Sequence, residues 1–560
     1  MTSIRYMKLV VPSLFAYKRS YLKHDAVAAL VVTAIVIPQS LAFAMIVGLS
    51  PITGLYTAMV APIVFALLAN ARRLAVGPDS ATAAVVASGA ALVAQAGTAG
   101  HASAVAIIGI LTAVVLAAMS LLRLGFFAEL ISRPVLVGFL AGVGVQLIIA
   151  SLPTMLGIAV EGSLWQRLGG IVTQFGEVNG MALTVSVLVV GIIVLLRRTV
   201  VPGELAGLVL AVAFAAIFQI SQYGVAMVGA LPSGLPSFTV PAVTLEQVIT
   251  LLPAAVSVAL VVLAQGSAVI RANASRRGDK VRVNNDLFAL GAANLATAVT
   301  GGYAANGSPI RTQAAESAGG RSQMVNVLTG VLVGMVLLVG TVLFQYVPQA
   351  ALSSIVFVVG IYLIRFTELA YIWDRHRMEF LVAMVALVGT ILFGVLQGVF
   401  VAIIVSLAER LSRQYHPRDA VLVRDGEVSD WVVERLGGDE TRLKNTDGLL
   451  VYSFESPLYF ENVGYFAHRI RRAIRNAKEP VTYIVIDAGA IDTVDYTAAE
   501  ELKPFFEKLQ TDGLRVGFAH VTPYMKEQLE YLGIMDVIGE DNIHPTLDGA
   551  LQVKHSRKWH

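Results

Sequence analysis

The chain of 560 residues contains no cysteine, which excludes disulfides, thiolate metal sites and catalysis by a thiol. Charge is also scarce, because only 14% of the residues are charged and 56% are hydrophobic, whereas soluble domains carry about 25% charged residues. The nine histidines form no HExxH or comparable zinc spacing. We therefore expect no metal and no cofactor, and the net charge of +3 is too small to predict a nucleic-acid partner.

Apolar segments of roughly 17–25 residues follow one another from residue 26 to residue 413, as expected for a chain that crosses a lipid bilayer many times. They predict spans at 26–47, 51–69, 103–122, 134–152, 181–196, 202–219, 249–270, 324–346, 351–364 and 379–408. The last of these is long enough to turn back on itself. Three more segments are rich in Gly, Ala, Ser and Thr, which lets helices pack closely but lowers their hydropathy; they are 79–97, 285–300 and 307–319. This pattern predicts a polytopic α-helical membrane protein with about twelve to fourteen spans.

Lysine and arginine cluster in alternate connections, for example at Arg72-Arg73, at Arg197-Arg198 and from Arg271 to Arg282. Basic loops face the cytoplasm in most membrane proteins. We therefore expect both termini inside, an even number of crossings and a place in the cytoplasmic (inner) membrane. The predicted regions are a cytoplasmic N-terminal segment 1–24, a transmembrane domain 25–413, a linker 414–446 and a C-terminal domain 447–553.

The C-terminal region has the composition of a soluble domain. Strands are predicted at 449–454, 483–487 and 514–519, and they alternate with helices predicted at 463–477, 498–511 and 523–532. Such alternation indicates a small α/β domain. It contains no GxGxxG, P-loop or nucleophile elbow, so we expect no enzyme there. Four arginines of the first helix are expected to face solvent: Arg469, Arg471, Arg472 and Arg475.

Two polar segments interrupt the membrane region, Gly77 to Thr82 and Gly307 to Thr312, and each combines Gly, Pro and hydroxyl residues ahead of a short helix. The unpaired N–H groups of a helix N-terminus attract anions. Arg311 adds a cation, and a cation inside a membrane usually marks a site. If the two segments face each other, as broken helices do in inverted-repeat transporters, they form an anion site. The alternative is two unrelated turns, with Arg311 reaching the lipid headgroups.

The sequence around these segments resembles the SulP anion transporters, which form solute carrier family 26 in animals. The matching stretches are IPQSLAFA at 37–44, GLSP at 48–51, Gly54-Leu55-Tyr56, GP at 77–78, NNDL at 284–287 and SPIRT at 308–312. They are similar to the family's first, third, ninth and tenth helices. Beyond residue 440 the chain is similar to the family's STAS domain, and the resemblance covers nearly the whole chain in order.

This resemblance implies fourteen transmembrane helices in two inverted seven-helix repeats, divided into a core and a gate, in a protein that forms homodimers. It places the substrate between the N-termini of the third and tenth helices, at Gln39, Phe43, Ser80, Ala81, Ser308, Ile310 and Arg311. Backbone N–H groups near Ala81 and Ile310 are expected to donate to the anion, while Arg311 supplies positive potential. For Gln39 the alternative is satisfaction of the backbone freed by Pro38, and for Phe43 it is core packing.

The chain departs from the family at two positions. Relatives that couple transport to protons or sodium often carry a carboxylate in the eighth helix, where this chain has Gln265, which cannot titrate. A proton then binds elsewhere, with Glu316 and Asp79 as candidates, or the protein is an exchanger, a channel-like path or an uncoupled carrier. Ile310 replaces a serine of many relatives, which favours larger or less hydrated anions.

The resemblance thus implies a secondary active transporter for sulfate or a related small anion, such as bicarbonate or a dicarboxylate, with a proton or sodium ion as candidate co-substrate. The alternatives are a membrane-anchored STAS signalling protein and a nucleobase carrier of the same fold. Asp495 and Thr497 match the loop that carries a phosphorylatable residue in bacterial anti-sigma antagonists. Thr497 with Glu500 also fits a capping box, in which Thr497 caps the following helix.

Overall fold

The structure is a computed structural model that describes residues 17–129, 132–160, 164–199, 201–239, 243–277, 282–394, parts of 397–424, 431–434 and 448–550. The chain divides into two compact units, Met1–Leu407 and Ala408–His560. The first is almost entirely helical and the second is a mixed sheet covered by helices.

Most helices of the first unit lie on the predicted spans, but two short ones, Leu164–Thr173 and Phe366–Arg375, were not predicted. The helices are α1 (Leu22–Val47), α2 (Pro51–Leu68), α3 (Ser80–Ala90), α4 (Ala99–Leu121), α5 (Arg133–Leu156), α6 (Leu164–Thr173), α7 (Gly180–Leu196), α8 (Gly203–Phe218), α9 (Leu245–Arg277), α10 (Val283–Val299), α11 (Pro309–Ser317), α12 (Met324–Met335), α13 (Gln349–Ile364), α14 (Phe366–Arg375) and α15 (Arg377–Phe393). After α12 the chain continues as π- and 3-10-helical turns to Tyr346. The three small-residue segments are helical, as predicted, in α3, α10 and α11.

The long apolar run near residue 390 turns back, as its length predicted. α15 ends at Phe393, and Gly394 has a φ of 95°, a left-handed value that favours glycine. A Cβ atom built on Gly389 would lie 3.3 Å from the Val401 side chain, so the chain beyond the turn runs back along α15.

Most contacts between helices fall within two groups, although α1 also packs against α8 and α13. One group joins α1–α4 to α9–α12, and the other joins α5, α7 and α8 to α13 and α15. Small residues let the backbones approach closely in both groups. In the second group, for example, a Cβ built on Gly144 would lie 2.4 Å from the Gly360 carbonyl oxygen.

A two-stranded antiparallel ribbon links distant parts of the first group. Strand β1 (Val76–Pro78) pairs with β2 (Ala305–Gly307), and Gly77 lies opposite Asn306. α3 begins directly after β1 and α11 directly after β2, so the ribbon holds the starts of both short helices side by side. This confirms the prediction that the two Gly-Pro segments face each other.

The second unit is the predicted α/β domain. Its strands are β3 (Asp419–Arg424), β4 (Trp431–Glu434), β5 (Leu449–Phe454), β6 (Tyr483–Asp487), β7 (Arg515–Ala519) and β8 (Ile543–His544). They are ordered β4-β3-β5-β6-β7-β8, parallel from β5 to β8 and antiparallel around β3. The helices are α16 (Val463–Asn476), α17 (Tyr496–Thr511), α18 (Pro523–Tyr531) and α19 (Ile534–Ile538). The sequence predicted β5, β6, β7 and the three longer helices, but not β3, β4 or β8.

The arginines of α16 do not all face solvent, and the prediction was wrong for Arg469. Its Nε and Nη2 donate to the two carboxylate oxygens of Asp419, at 2.7 and 2.9 Å. The Tyr452 hydroxyl donates to the same carboxylate at 2.8 Å. Burial, and then the Asp419 charge, raise the pKa of Tyr452 well above its usual value, so the phenol keeps the proton that it donates. This buried group fastens α16 to β3 and β5.

We expect Arg469→Ala to destabilise the C-terminal unit by about 3 kcal/mol, because the pair is largely buried and the change leaves the Asp419 carboxylate without its cation. Limited proteolysis of the purified full-length protein should then cleave this unit faster than in the wild type. Arg475→Ala removes an exposed arginine from the same helix and should leave the cleavage rate unchanged. Equal cleavage rates for all three proteins would contradict the structural role of the pair.

Candidate functional site

Hydrogen bonds join the starts of α3 and α11 on both sides of the ribbon. The Ser308 N–H donates to the Ala75 carbonyl oxygen at 2.9 Å, and the Ala75 N–H donates to the Thr312 hydroxyl at 2.9 Å. On the other side the Thr82 hydroxyl donates to the Ala304 carbonyl oxygen at 3.1 Å. Two helix N-termini from distant parts of the chain thus form one rigid junction.

Arg311 lies inside this junction with a side chain that is only 1% exposed. Its Nη1 donates to the Pro78 carbonyl oxygen at 2.6 Å and to the Gln39 side-chain oxygen at 3.4 Å. Its Nε and Nη2 have no hydrogen-bond partner among the described residues. A buried cation with two unsatisfied nitrogens is unfavourable unless an anion compensates it. Arg311 is therefore the strongest source of positive potential in the junction.

Asp79 occupies the N-terminus of α3. Its Oδ2 accepts hydrogen bonds from the N–H groups of Ala81 and Thr82, at 3.1 and 3.3 Å. The expectation that the Ala81 N–H is open to an anion is therefore wrong for this structure, because the carboxylate of the N-cap residue already occupies that donor. Ser80 and Ala81 are both buried at this point.

The N-terminus of α11 is capped differently. The Ser308 hydroxyl accepts a hydrogen bond from the Arg311 N–H at 3.3 Å. Pro309 has no N–H to offer, and within the described residues the Ile310 N–H forms no hydrogen bond. The Ile310 side chain is 51% exposed, although it follows a buried strand. The start of α11 is thus the open end of the junction.

Two of the predicted site residues belong to α1. Gln39 is buried and contacts Arg311 through its side-chain oxygen, as described above. Phe43, one turn later, is 3% exposed and belongs to the main hydrophobic core. Gln39 is thus part of the junction, whereas the surroundings of Phe43 are those of a packing residue.

Gln265 of α9 also reaches the ribbon. Its side-chain oxygen accepts a hydrogen bond at 2.7 Å from the Asn306 side-chain nitrogen, and the Asn306 oxygen accepts one from the Gly307 N–H. The sequence analysis did not single out Asn306. Its place directly before the Gly-Ser-Pro motif is the signal that could have identified it, since a fully buried asparagine must use its polar atoms.

Glu316 lies apart from this group. It lines a small cleft together with Arg73, Gln323 and Asn326, beside the loop that precedes α12. The other predicted site residues of the membrane unit do not line that cleft. The structure thus brings Gln39, Gln265 and Arg311 to one junction but leaves Glu316 outside it.

In the C-terminal unit, Asp495 rather than Thr497 caps α17. The Asp495 carboxylate accepts hydrogen bonds from the Ala498 N–H at 2.7 Å and the Phe460 N–H at 3.0 Å. The capping box predicted at Thr497 is wrong, because the N-cap lies two residues earlier, at Asp495, and the helix begins at Tyr496. Thr497 instead lies in the first turn with its side chain exposed.

The chain is similar to known transport proteins over almost its whole length. The sulfate permease family matches residues 22–386, and the STAS domain matches residues 440–550. A probable sulfate transporter of Mycobacterium tuberculosis is 32% identical over 544 residues, which cover 97% of each chain. The chloroplastic sulfate transporter 4.1 of Arabidopsis thaliana is 24% identical over 95% of this chain and 80% of its own.

Solved structures share the fold. Murine Slc26a9, an anion transporter described in its inward-facing state, superimposes with a TM-score of 0.87 at 19% identity and covers 100% of this chain and 95% of its own. The transmembrane domain of the cyanobacterial bicarbonate transporter BicA gives a TM-score of 0.61 at 21% identity, over 70% of this chain and 98% of its own. These likenesses show the fold of fourteen transmembrane helices in two inverted repeats, with a core and a gate.

The relatives are transporters and not enzymes. The match to the sulfate permease family covers more than half of the chain, and the mycobacterial relative is similar from end to end. This protein therefore belongs to the sulfate permease family, the SulP or solute carrier 26 group of anion transporters, and carries a C-terminal STAS domain.

Proposed function

We propose that this protein is a secondary active transporter that carries a small anion across the cytoplasmic membrane, with sulfate first among the candidates. The observation that carries the proposal is the buried Arg311 guanidinium, two of whose nitrogens lack partners among the described residues. A buried cation beside the open N-terminus of α11 is an arrangement suited to an anion.

The anion binds at the open end of the junction. The Ile310 N–H donates to one of its oxygens, and the positive charge of Arg311 attracts it. One fixed cation and a few neutral donors hold an ion and still let it leave, which transport requires. The exposed Ile310 side chain covers part of this end and favours anions that shed water readily.

Sulfate is the first candidate because the mycobacterial relative, at 32% identity, is described as a probable sulfate transporter. Bicarbonate and dicarboxylates remain the alternatives. A nucleobase is less favoured, since the α9 position that could carry a carboxylate is Gln265, and its oxygen is bonded to Asn306.

Transport proceeds by movement of the core helices past the gate helices, which exposes the junction to each side in turn. The two groups of contacting helices support this division, because most contacts between helices lie within one group or the other. In this proposal the transport domain spans residues 25–413 and the STAS domain spans residues 447–553. Both termini lie in the cytoplasm, and the protein is a homodimer.

The STAS domain regulates transport through Thr497. Its side chain is exposed in the first turn of α17, where the helix dipole stabilises a phosphate group. The neighbouring Asp495 carboxylate already occupies the Ala498 N–H, so phosphorylation also brings two negative groups together. Phosphorylation of Thr497 would therefore change the conformation of this loop.

The proposal is tested by uptake of radiolabelled sulfate into proteoliposomes that contain the purified protein. We expect uptake well above that of protein-free liposomes, and competition by excess unlabelled sulfate. Bicarbonate and fumarate are used as competitors to rank the alternative substrates. A protein that is folded, as judged by size-exclusion chromatography, but takes up none of the three anions would contradict the proposed function.

A further inference from the structure

Asp79 places a negative charge at the point where the transported anion must be attracted. Its carboxylate accepts from two N–H groups at the start of α3 and so neutralises the positive end of that helix. It also interacts electrostatically with Arg311, whose Nη1 is bonded to the carbonyl oxygen of the preceding residue, Pro78. Asp79 is therefore the internal counter-ion of the site.

Few other charged or titratable groups among the described residues surround Asp79 and Arg311. The titratable groups that face it are Arg311 of α11 and the Tyr303 phenol ahead of β2. The other elements of the junction contribute neutral amides, from Gln39 of α1, Asn306 of β2 and Gln265 of α9. One cation thus faces one carboxylate before any substrate is bound.

An anion that enters while Asp79 is ionised makes the buried site net negative, which is unfavourable where the effective dielectric constant is low. An anion that enters with a proton on Asp79 meets an uncompensated Arg311 instead. Protonation also weakens the bonds that the carboxylate accepts from Ala81 and Thr82, so these donors become available to the substrate.

We propose that Asp79 is the proton-binding group of this transporter, and that each anion crosses the membrane together with one proton carried on the Asp79 carboxylate. This rests on the proposed function. The carboxylate takes up the proton on the side from which the anion enters, and it releases the proton after the site has opened to the other side. No covalent bond other than the O–H bond forms or breaks.

The proposal provides a proton-binding group in a chain that has Gln265 of α9 where proton- or sodium-coupled relatives often carry a carboxylate. That glutamine cannot titrate, and its oxygen is already bonded to Asn306 at 2.7 Å. Glu316, the other candidate that the sequence analysis named, lines the separate cleft with Arg73. Asp79 is the carboxylate that shares the junction with Arg311.

The test measures sulfate uptake and the fluorescence of a pH dye trapped inside proteoliposomes, with and without an inward proton gradient of one pH unit. Such a gradient changes proton activity tenfold, so we expect wild-type uptake to rise by up to about tenfold, with acidification of the lumen. In Asp79→Asn the ratio of the two uptake rates should fall to about 1, since asparagine is a good N-cap but cannot carry the proton. Glu316→Gln should keep the wild-type ratio.

The outcomes separate this inference from the proposed function. Wild-type uptake of sulfate without acidification, and without response to the gradient, overturns proton coupling but leaves anion transport intact. A gradient response that survives in Asp79→Asn and disappears in Glu316→Gln assigns the proton to Glu316. Absence of all anion uptake by folded wild-type protein contradicts transport itself.

A binding measurement covers the case in which Asp79→Asn does not transport. Thermal stabilisation of the purified protein by sulfate reports binding at each pH. We expect wild-type affinity to fall as pH rises, because binding requires the protonated carboxyl group, whereas Asp79→Asn should bind sulfate equally at all pH values. The same pH dependence in both proteins overturns the inference, and Asp79→Ser, which also caps the helix, provides a second non-titrating variant.

Discussion

Replacement of Arg311 by alanine is expected to lower sulfate uptake by about 100-fold. The guanidinium is 1% exposed and lacks partners for two nitrogens among the described residues, so it acts on the anion in a poorly solvated environment. At an effective dielectric constant of about 20 and a separation of about 5 Å, the attraction is about 3 kcal/mol, which corresponds to roughly 100-fold in binding. Initial rates of radiolabelled sulfate uptake into proteoliposomes measure this loss.

Two further variants make the result specific. Arg321→Ala removes an exposed arginine whose guanidinium lies over the Tyr21 ring, and it should keep most of the uptake. Arg311→Ala with Asp79→Asn removes both charges, so it tests whether loss in the single variant reflects an uncompensated Asp79. Wild-type uptake by Arg311→Ala would show that the anion is bound elsewhere.

Gly54→Ala is expected to destabilise the protein by about 3 kcal/mol, the upper part of the usual range for overpacking. A Cβ atom built on Gly54 of α2 would lie 1.9 Å from the Ser40 carbonyl oxygen of α1, so the two helices must separate. Ser40 directly follows Gln39, which contacts Arg311, and uptake should fall together with stability. Thermal unfolding of the detergent-solubilised protein measures the first effect.

Gly191→Ala is the matched control. This glycine also lies inside a transmembrane helix, α7, but no heavy atom outside its own helix lies within 4 Å of a Cβ built there. Because alanine has the higher helix propensity, this variant should unfold at the same or a higher temperature. Equal losses in both variants would mean that close α1–α2 packing does not explain the effect.

The helices of the membrane unit could be predicted because each one carries its own signal. Runs of apolar residues predicted ten spans, and the small-residue segments that became α3, α10 and α11 were recognised from their composition. The division into two helix groups could not be derived from composition, since it depends on which faces meet. It came from the family resemblance and is visible in contacts such as that between Gly144 and Gly360.

At the site, the sequence indicated the two helix starts and Arg311 but not how their donors are used. A Gly-Pro motif with a following Asp predicts a helix start, but not that the Asp79 carboxylate occupies the Ala81 N–H. The bond between Gln265 and Asn306 joins residues 41 positions apart, which local patterns do not reveal. The capping error at Thr497 arose because two nearby polar residues, Asp495 and Thr497, are both suitable N-caps, and local sequence does not show which one caps the helix.

The direct test of the account is the position of the bound anion. Selenate has the shape and charge of sulfate, and its selenium atom can be located from anomalous diffraction of crystals grown with it. We expect one selenium peak at the open end of the α3–α11 junction, within hydrogen-bond reach of the Ile310 N–H and beside Arg311. A peak in the cleft lined by Arg73 and Glu316, with none at the junction, would contradict the central claim.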